Sequence, residues 1–305
     1  RKPRIPNCVA HQPRRSTMAD LSIYAGFHPA TIKQGLSFEE RSHITHDAGF
    51  KHSAFDITGA IDYDDSHGPG AAADLLRELD ITPDGWGGSP FITQSAEDFA
   101  AGLPAYEDLC AYADGFGHGN VSGIMVFMPN RWPIAEDEAF ALAVTNFTAL
   151  AAVSANHGIN IAIEFCGPNL MADQPFPFIT GVEGAMRIVD AVGKDNLGVL
   201  VDSYHLYCAG EEPEVIDRLA HGKVYAAHIN DSPPGDHSNF TDAERVMPGD
   251  GILPLVDFVK GIAAAGYSGI LPCELFNPKI RLADPVDVAR ESREKSDAVI
   301  AEALG

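Results

Sequence analysis

Residues 197–231 read LGVLVDSYHLYCAGEEPEVIDRLAHGKVYAAHIND. Two short apolar runs, LGVLV and VYAA, each end on a side chain of ligand type, Asp202 and His228. The segment between them is amphipathic. Short apolar runs separated by amphipathic stretches describe a succession of strands and helices. Working outward, the same alternation covers the chain from residue 21, in eight rounds. The expected strands lie at 21–27, 52–59, 82–89, 123–129, 160–167, 197–205, 224–231 and 269–276. Helical periodicity marks 37–49, 71–79, 136–157, 181–192, 254–266 and 285–304. In 254–266, Leu255, Phe258, Val259 and Ile262 share one face and Gly266 is the stop signal. The last helix opens with Asp284 as cap and Pro285 at its first position.

Eight strand–helix units in about 280 residues predict an α/β fold, a single-domain (β/α)8 TIM barrel spanning 18–305. A doubly wound sheet is the competing reading. It would place a glycine-rich turn after the first strand, where this chain has AGFHPATIKQG at 25–35, without the dinucleotide fingerprint. No linker or low-complexity run divides the chain. The longest irregular stretch, 232–248, follows the seventh strand, and such long loops are usually functional.

The 305 residues carry 21 Lys+Arg against 43 Asp+Glu, a formal charge of -22. Phosphate neutralisation needs clustered cations, so nucleic acid is excluded as a partner, and anionic membrane surfaces with it. No stretch reads as the roughly 18 uncharged apolar residues of a spanning helix. Residues 1–17 stand apart: Arg1, Lys2, Arg4, Arg14 and Arg15 occur there without an acid, before Met18 opens an apolar run. A basic, poorly ordered N-terminal extension is the expectation, and the segment lacks the apolar core of a secretory signal. Five scattered cysteines, Cys8, Cys110, Cys166, Cys208 and Cys273, fit reduced thiols in a cytoplasm.

Chemistry in a barrel sits at the carboxyl ends of its strands. The last four strands end in ligand-type residues: Glu164 in IAIEFCGP, Asp202, His228, and Glu274 in GILPCELFNP. Three carboxylates brought together inside an apolar wall are costly unless a cation compensates them. Two Glu, one Asp and one His suit Mn2+, with Mg2+, Co2+ or Zn2+ as the other choices, and leave positions for two substrate oxygens.

The runs IEF, VDSYH, HIND, PGDG and CELFNP, in this order, resemble the xylose isomerase-like superfamily, in particular its D-tagatose 3-epimerase and inosose dehydratase types. The resemblance covers roughly 20–304. VDSYH and HIND are especially like the endonuclease IV branch, whose trinuclear zinc site needs further histidines. Here those segments read GWGGSPF, VFMPNRW and AERVMPGDG, with no histidine, so the nuclease reading is rejected. The resemblance implies one divalent cation bound by Glu164, Asp202, His228 and Glu274. It also implies proton abstraction next to the carbonyl of a sugar or polyol-ketone, through an enediolate the metal stabilises. Glu164 and Glu274 would serve as both ligands and acid–base groups, making the protein a metal-dependent sugar isomerase or epimerase. The alternative on the same scaffold is a lyase: an inosose or 3-dehydroshikimate dehydratase, or a C-glycoside deglycosidase working with a small partner subunit. A catalytically idle metal-binding barrel is the third reading. Homo-oligomers are implied as well.

Substrate contacts are expected from His205, three residues after Asp202, from Arg245, and from the flat face of Trp86. The competing readings are a structural histidine, a surface arginine and core packing. His28 is a further candidate contact, Cys166 a pocket-lining residue, and Met125 and Met128 wall and core. His237 is expected to face solvent, and His43, His46 and His52 to be structural. Lys279 and Arg281 follow Glu274 without a glycine cradle, which favours an unphosphorylated substrate.

Overall fold

The computed structural model describes residues 22–116, 123–219 and 221–305. The basic segment 1–17 lies outside them. Eight parallel strands form the barrel: Ile23–Gly26, His52–Ala54, Thr82–Asp84, Gly123–Met128, Asn160–Phe165, Leu197–Asp202, Val224–His228 and Gly269–Pro272. The fourth to seventh pair continuously, and the eighth pairs with the first, Ile23 opposite Gly269. The second and third pair through His52 and Thr82. Single bridges close the remaining seams: Phe27 with Ser53, Trp86 with Ile124, and Ile229 with Cys273. The expected (β/α)8 barrel is the observed fold.

Every residue of Leu197–Asp202 is buried, which is why this strand is apolar without alternation: both of its faces are covered. Gly198 lets the seventh strand come close, since a Cβ there would lie 2.5 Å from both the Lys223 carbonyl oxygen and the Tyr225 ring. Helix Leu255–Ala264 buries Leu255, Phe258, Val259 and Ile262, the face its periodicity marks, and stops before Gly266 at φ +91°. The Asp284 side chain accepts from the Val286 and Asp287 amides at the start of helix Pro285–Leu304, as expected.

Several boundaries differ from the sequence reading. The second strand ends at Ala54, because the Asp56 side chain accepts from the Gly59 amide and starts helix Ile57–His67. The third ends at Asp84, where Gly85 turns the chain at φ +67°. Helix Ala96–Asp114 fills the gap between the third and fourth strands, where no helical segment was marked. Helix Glu136–Asn156 is long and apolar enough to span a membrane, contrary to the sequence reading. Its buried side, including Ala143, Phe147, Leu150 and Ala151, lies in the apolar core around the barrel. It is a barrel helix.

Candidate metal centre

The carboxyl ends of the fifth to eighth strands bring Glu164, Asp202, His228 and Glu274 together. One ligand atom from each lies within 4.8 Å of the others. His228 Nδ1 stands 3.4 Å from Glu164 Oε1, 3.5 Å from Glu274 Oε2 and 3.7 Å from Asp202 Oδ2. Both ring nitrogens of His228, and Glu164 Oε1, are buried without a hydrogen-bond partner. Buried polar atoms left unpaired are rare in native proteins and call for an explanation. Two atoms each about 2.1 Å from one ion lie about 3 to 4 Å apart, so an ion among these atoms satisfies Glu164 Oε1 and the His228 Nδ1 that faces the carboxylates. The residues present fit a divalent metal.

Asp202 is the most firmly held. Its Oδ1 accepts from the Tyr204 and His205 amides at the start of the short helix Ser203–Cys208, at 2.8 and 2.9 Å. Its Oδ2 accepts from Asn230 Nδ2 at 2.7 Å and Arg245 Nη1 at 3.1 Å. Asn230 also accepts from the Glu274 amide through Oδ1 at 3.0 Å, so one amide side chain ties the sixth strand's ligand to the eighth's. Thr31, in the loop after the first strand, fixes the backbone on both sides of Glu274: its hydroxyl donates to the Cys273 carbonyl at 2.5 Å and accepts from the Leu275 amide at 3.1 Å.

Arg245 is buried to 1% exposure, with all three guanidinium nitrogens engaged inside the protein. Nη1 donates to Asp202, to Glu274 Oε2 and to the Glu274 carbonyl, all at 3.1 Å. Nη2 donates to Asp242 at 2.6 Å and to His205 Nε2 at 2.7 Å, and Nε donates to Asp242 at 3.0 Å. The other nitrogen of His205, Nδ1, donates to the Phe165 carbonyl at 2.6 Å, so Nε2 is left as an acceptor for arginine. Gly167 makes this approach possible, because a Cβ there would collide with the His205 carbonyl. His205 and Arg245 thus sit against the ligands, as a network under the site.

Trp86 is fully buried with its ring stacked on Tyr106, so it packs in the core and presents no face to a ligand. His28 belongs to the site: its Nε2 lies 3.4 Å from Glu274 Oε1, and its Nδ1 accepts from the Ala30 amide at 3.2 Å. Burial lowers the His28 pKa to about 4, against the pull of Glu274, so this ring is neutral and carries its proton on Nε2. Burial also works against a charged His228, but Glu274 and Glu164 beside it push its pKa up to about 10. Burial would raise the Glu274 carboxyl, yet His28, His228 and Arg245 together hold it well below the usual range.

Cys166 is buried, and its Sγ is directed at the Pro168 carbonyl. Burial pushes its thiol above the ordinary range. His237 is half-buried with its ring against Tyr207. Arg281 fastens the loop after the eighth strand, donating to the Leu275 carbonyl.

A model of the xylose isomerase-like TIM barrel family matches residues 45–299. The chain belongs to that family. Among curated relatives, the inosose isomerase of Bacillus velezensis is 28% identical over 167 residues, covering 55% of this chain and 58% of that protein. The chain thus matches little more than half the length of this relative. A 3-dehydroshikimate dehydratase of Pseudomonas aeruginosa is 31% identical over 103 residues, 33% of this chain and 16% of that one. Among solved structures, a xylose isomerase domain protein from Alicyclobacillus acidocaldarius superposes with TM-score 0.83 at 24% identity, covering 93% of this chain and all of that one. An IOLI protein with a binding zinc atom gives TM-score 0.79 at 20% identity over 92% of this chain and 98% of its own. At these identities the likeness of structures is one of fold.

Asn230, Thr31 and Asp242 carry no ligand signal in the sequence. Asn230 lies inside the HIND run, two residues after His228, and Asp242 lies three residues before Arg245. That proximity is the one cue available for either.

Proposed function

We propose that the protein is a divalent-metal-dependent isomerase or epimerase of a small sugar or polyol-ketone, with Glu164 and Glu274 moving the proton. The observation that carries this reading is the difference in exposure within the four-residue cluster. The Glu164 and Glu274 side chains keep 13% and 11% of their surface open, while Asp202 and His228 keep 0% and 2%. Two carboxylates at the opening can reach a substrate, and the other two residues serve as anchors. A bound divalent ion, with Mn2+ favoured by three oxygen ligands to one nitrogen, would polarise the substrate carbonyl and acidify the neighbouring C–H.

The two glutamates flank His228 from the fifth and eighth strands, which suits removal of a proton on one side and return on the other. Glu164 Oε1 has no internal donor and faces the place of the ion, while the exposed part of the side chain can meet the substrate. Glu274 is held as a carboxylate by Arg245 on one oxygen and faces the His28 N–H with the other. His28 is therefore placed to steady the charge on Glu274 or to meet a substrate oxygen. Relatives named as isomerase and as dehydratase both support proton abstraction beside a carbonyl as the first step.

The test is C–H exchange in D2O. Metal-stripped protein resupplied with Mn2+ is incubated with ketoses, inosose and 3-dehydroshikimate and followed by proton NMR. Exchange with an altered stereocentre or a moved carbonyl is the expected result, and Glu164→Gln and Glu274→Gln lose it by at least about 100-fold. Exchange with loss of water assigns the lyase instead. Absence of exchange from every compound, with metal bound, defeats the proposal.

A further inference from the structure

A cavity of about 520 Å³ opens between the loops after the third and fourth strands. Its walls are Phe91, Met125, Phe127, Pro129, Trp132 and Met171. It adjoins the metal centre through the sheet itself. Phe127 pairs in register with Glu164, and Met125 with Ala162. In-register neighbours on parallel strands point to the same face, so Phe127 and Met125 line the side of the barrel on which Glu164 stands.

The wall is built firmly. Arg131–Trp132 pairs antiparallel with Phe176–Pro177, and the Trp132 ring lies 4.9 Å from that of Phe178. Asn130 Nδ2 donates to the Pro168 carbonyl and the Phe178 amide donates to the Asn130 carbonyl, both at 2.8 Å. The Arg131 guanidinium in the lining is committed elsewhere: Nε donates to the Gln174 carbonyl at 2.6 Å and Nη2 to the Pro175 carbonyl at 3.0 Å. Phe91 and Phe127 are nonetheless 78% and 39% exposed. Single exposed apolar residues are ordinary, but these two border one cavity, and one of them, Phe127, is the cross-strand neighbour of Glu164.

Such a cavity suits poorly the hydroxyl-rich remainder of a simple sugar, whose donors and acceptors would be desolvated without partners. Its size is that of a small-molecule pocket. We infer that the substrate carries an apolar, ring-sized group attached to its polyol-ketone end, and that this cavity receives that group. The inference rests on the proposed function and adds the substrate class. The occupant is read as part of the substrate because Phe127 in the cavity wall is the cross-strand neighbour of Glu164.

The experiment is calorimetric titration of the full-length, Mn2+-loaded protein with phenyl β-D-glucopyranoside and methyl β-D-glucopyranoside. The phenyl compound is expected to bind roughly 10- to 100-fold more tightly, with a more negative heat-capacity change. Phe127→Ala and, separately, Phe91→Ala should erase most of that advantage; Phe91 is exposed, so its truncation leaves the fold intact. Equal affinity for the two glycosides overturns the inference. So does an advantage that survives in both variants, which would place the aryl group elsewhere. Binding is read without turnover, so the two readings fail separately. Deuterium exchange without an aryl preference defeats this inference alone, and an aryl preference without exchange on any carbonyl compound defeats the isomerase alone.

Discussion

Replacing Arg245 by Met removes the one guanidinium that engages Asp202, Glu274, Asp242 and His205 together. The length of the side chain is nearly kept, so packing against Tyr204 and Phe276, whose ring centroids lie 5.1 and 5.2 Å from the guanidinium, is mostly retained. What is lost is countercharge. Removing one partner of a buried ion pair costs about 3–5 kcal/mol, because the other charge stays behind uncompensated. At about 2 °C per kcal/mol for a chain of this size, Arg245→Met should melt about 6–10 °C lower in the presence of a chelator. Saturating Mn2+ supplies countercharge to Asp202 and Glu274 but leaves Asp242 and His205 Nε2 without their donor. The deficit relative to wild type should then shrink to about 1–3 kcal/mol, the cost of unpaired buried acceptors. Thermal unfolding followed by circular dichroism, with chelator and with Mn2+, measures both numbers. A drop below about 2 °C with chelator, or an equal deficit in the two conditions, would refute the account of Arg245 as countercharge to the ligands.

Two further outcomes are expected. The His228 pKa is pushed up to about 10 from the ordinary 6.5, so in the metal-free protein its charged form stabilises fully below pH 6.5, and that contribution is lost as pH rises through about 10. The two values correspond to at most about 5 kcal/mol. Urea unfolding of metal-free protein across this window should show a decline that His228→Gln lacks, and identical slopes would dismiss it. Thr31→Val leaves the Cys273 carbonyl and Leu275 amide unpaired beside Glu274, which should cost about 1–3 kcal/mol and slow exchange chemistry, while Thr31→Ser keeps both. Equal exchange rates for the Val and Ser variants would show that Glu274 needs no such support.

The barrel and its four candidate ligands were legible because each rests on a local pattern. Leu197–Asp202 is buried along its whole length, so its sequence is a plain apolar run ending on the candidate ligand. Strand ends were less legible. Asp56 reads as a strand residue until its side chain is seen to accept from the Gly59 amide. The roles of Arg245 and Trp86 were illegible for a different reason. An arginine in a loop and a tryptophan near a strand end have the same sequence signature whether they face a ligand or the interior. Their placement is decided by partners far along the chain: Arg245 by Asp202 and Glu274, Trp86 by Tyr106. Thr31 is the extreme case, joined to Cys273 across 242 residues of sequence.

The strands of the barrel are not joined equally. The fourth to seventh form one continuous ladder, whereas the eighth meets the seventh through the single bridge of Ile229 and Cys273. Glu164, Asp202 and His228 stand on the ladder, and Glu274 follows the eighth strand across that thin seam. An ion held by all four would therefore be a clasp as well as the proposed cofactor. It would fasten the last arc of the barrel to the rest at one of the three seams that a single bridge closes, and it would make closure of that seam and the meeting of Glu164 with Glu274 one event.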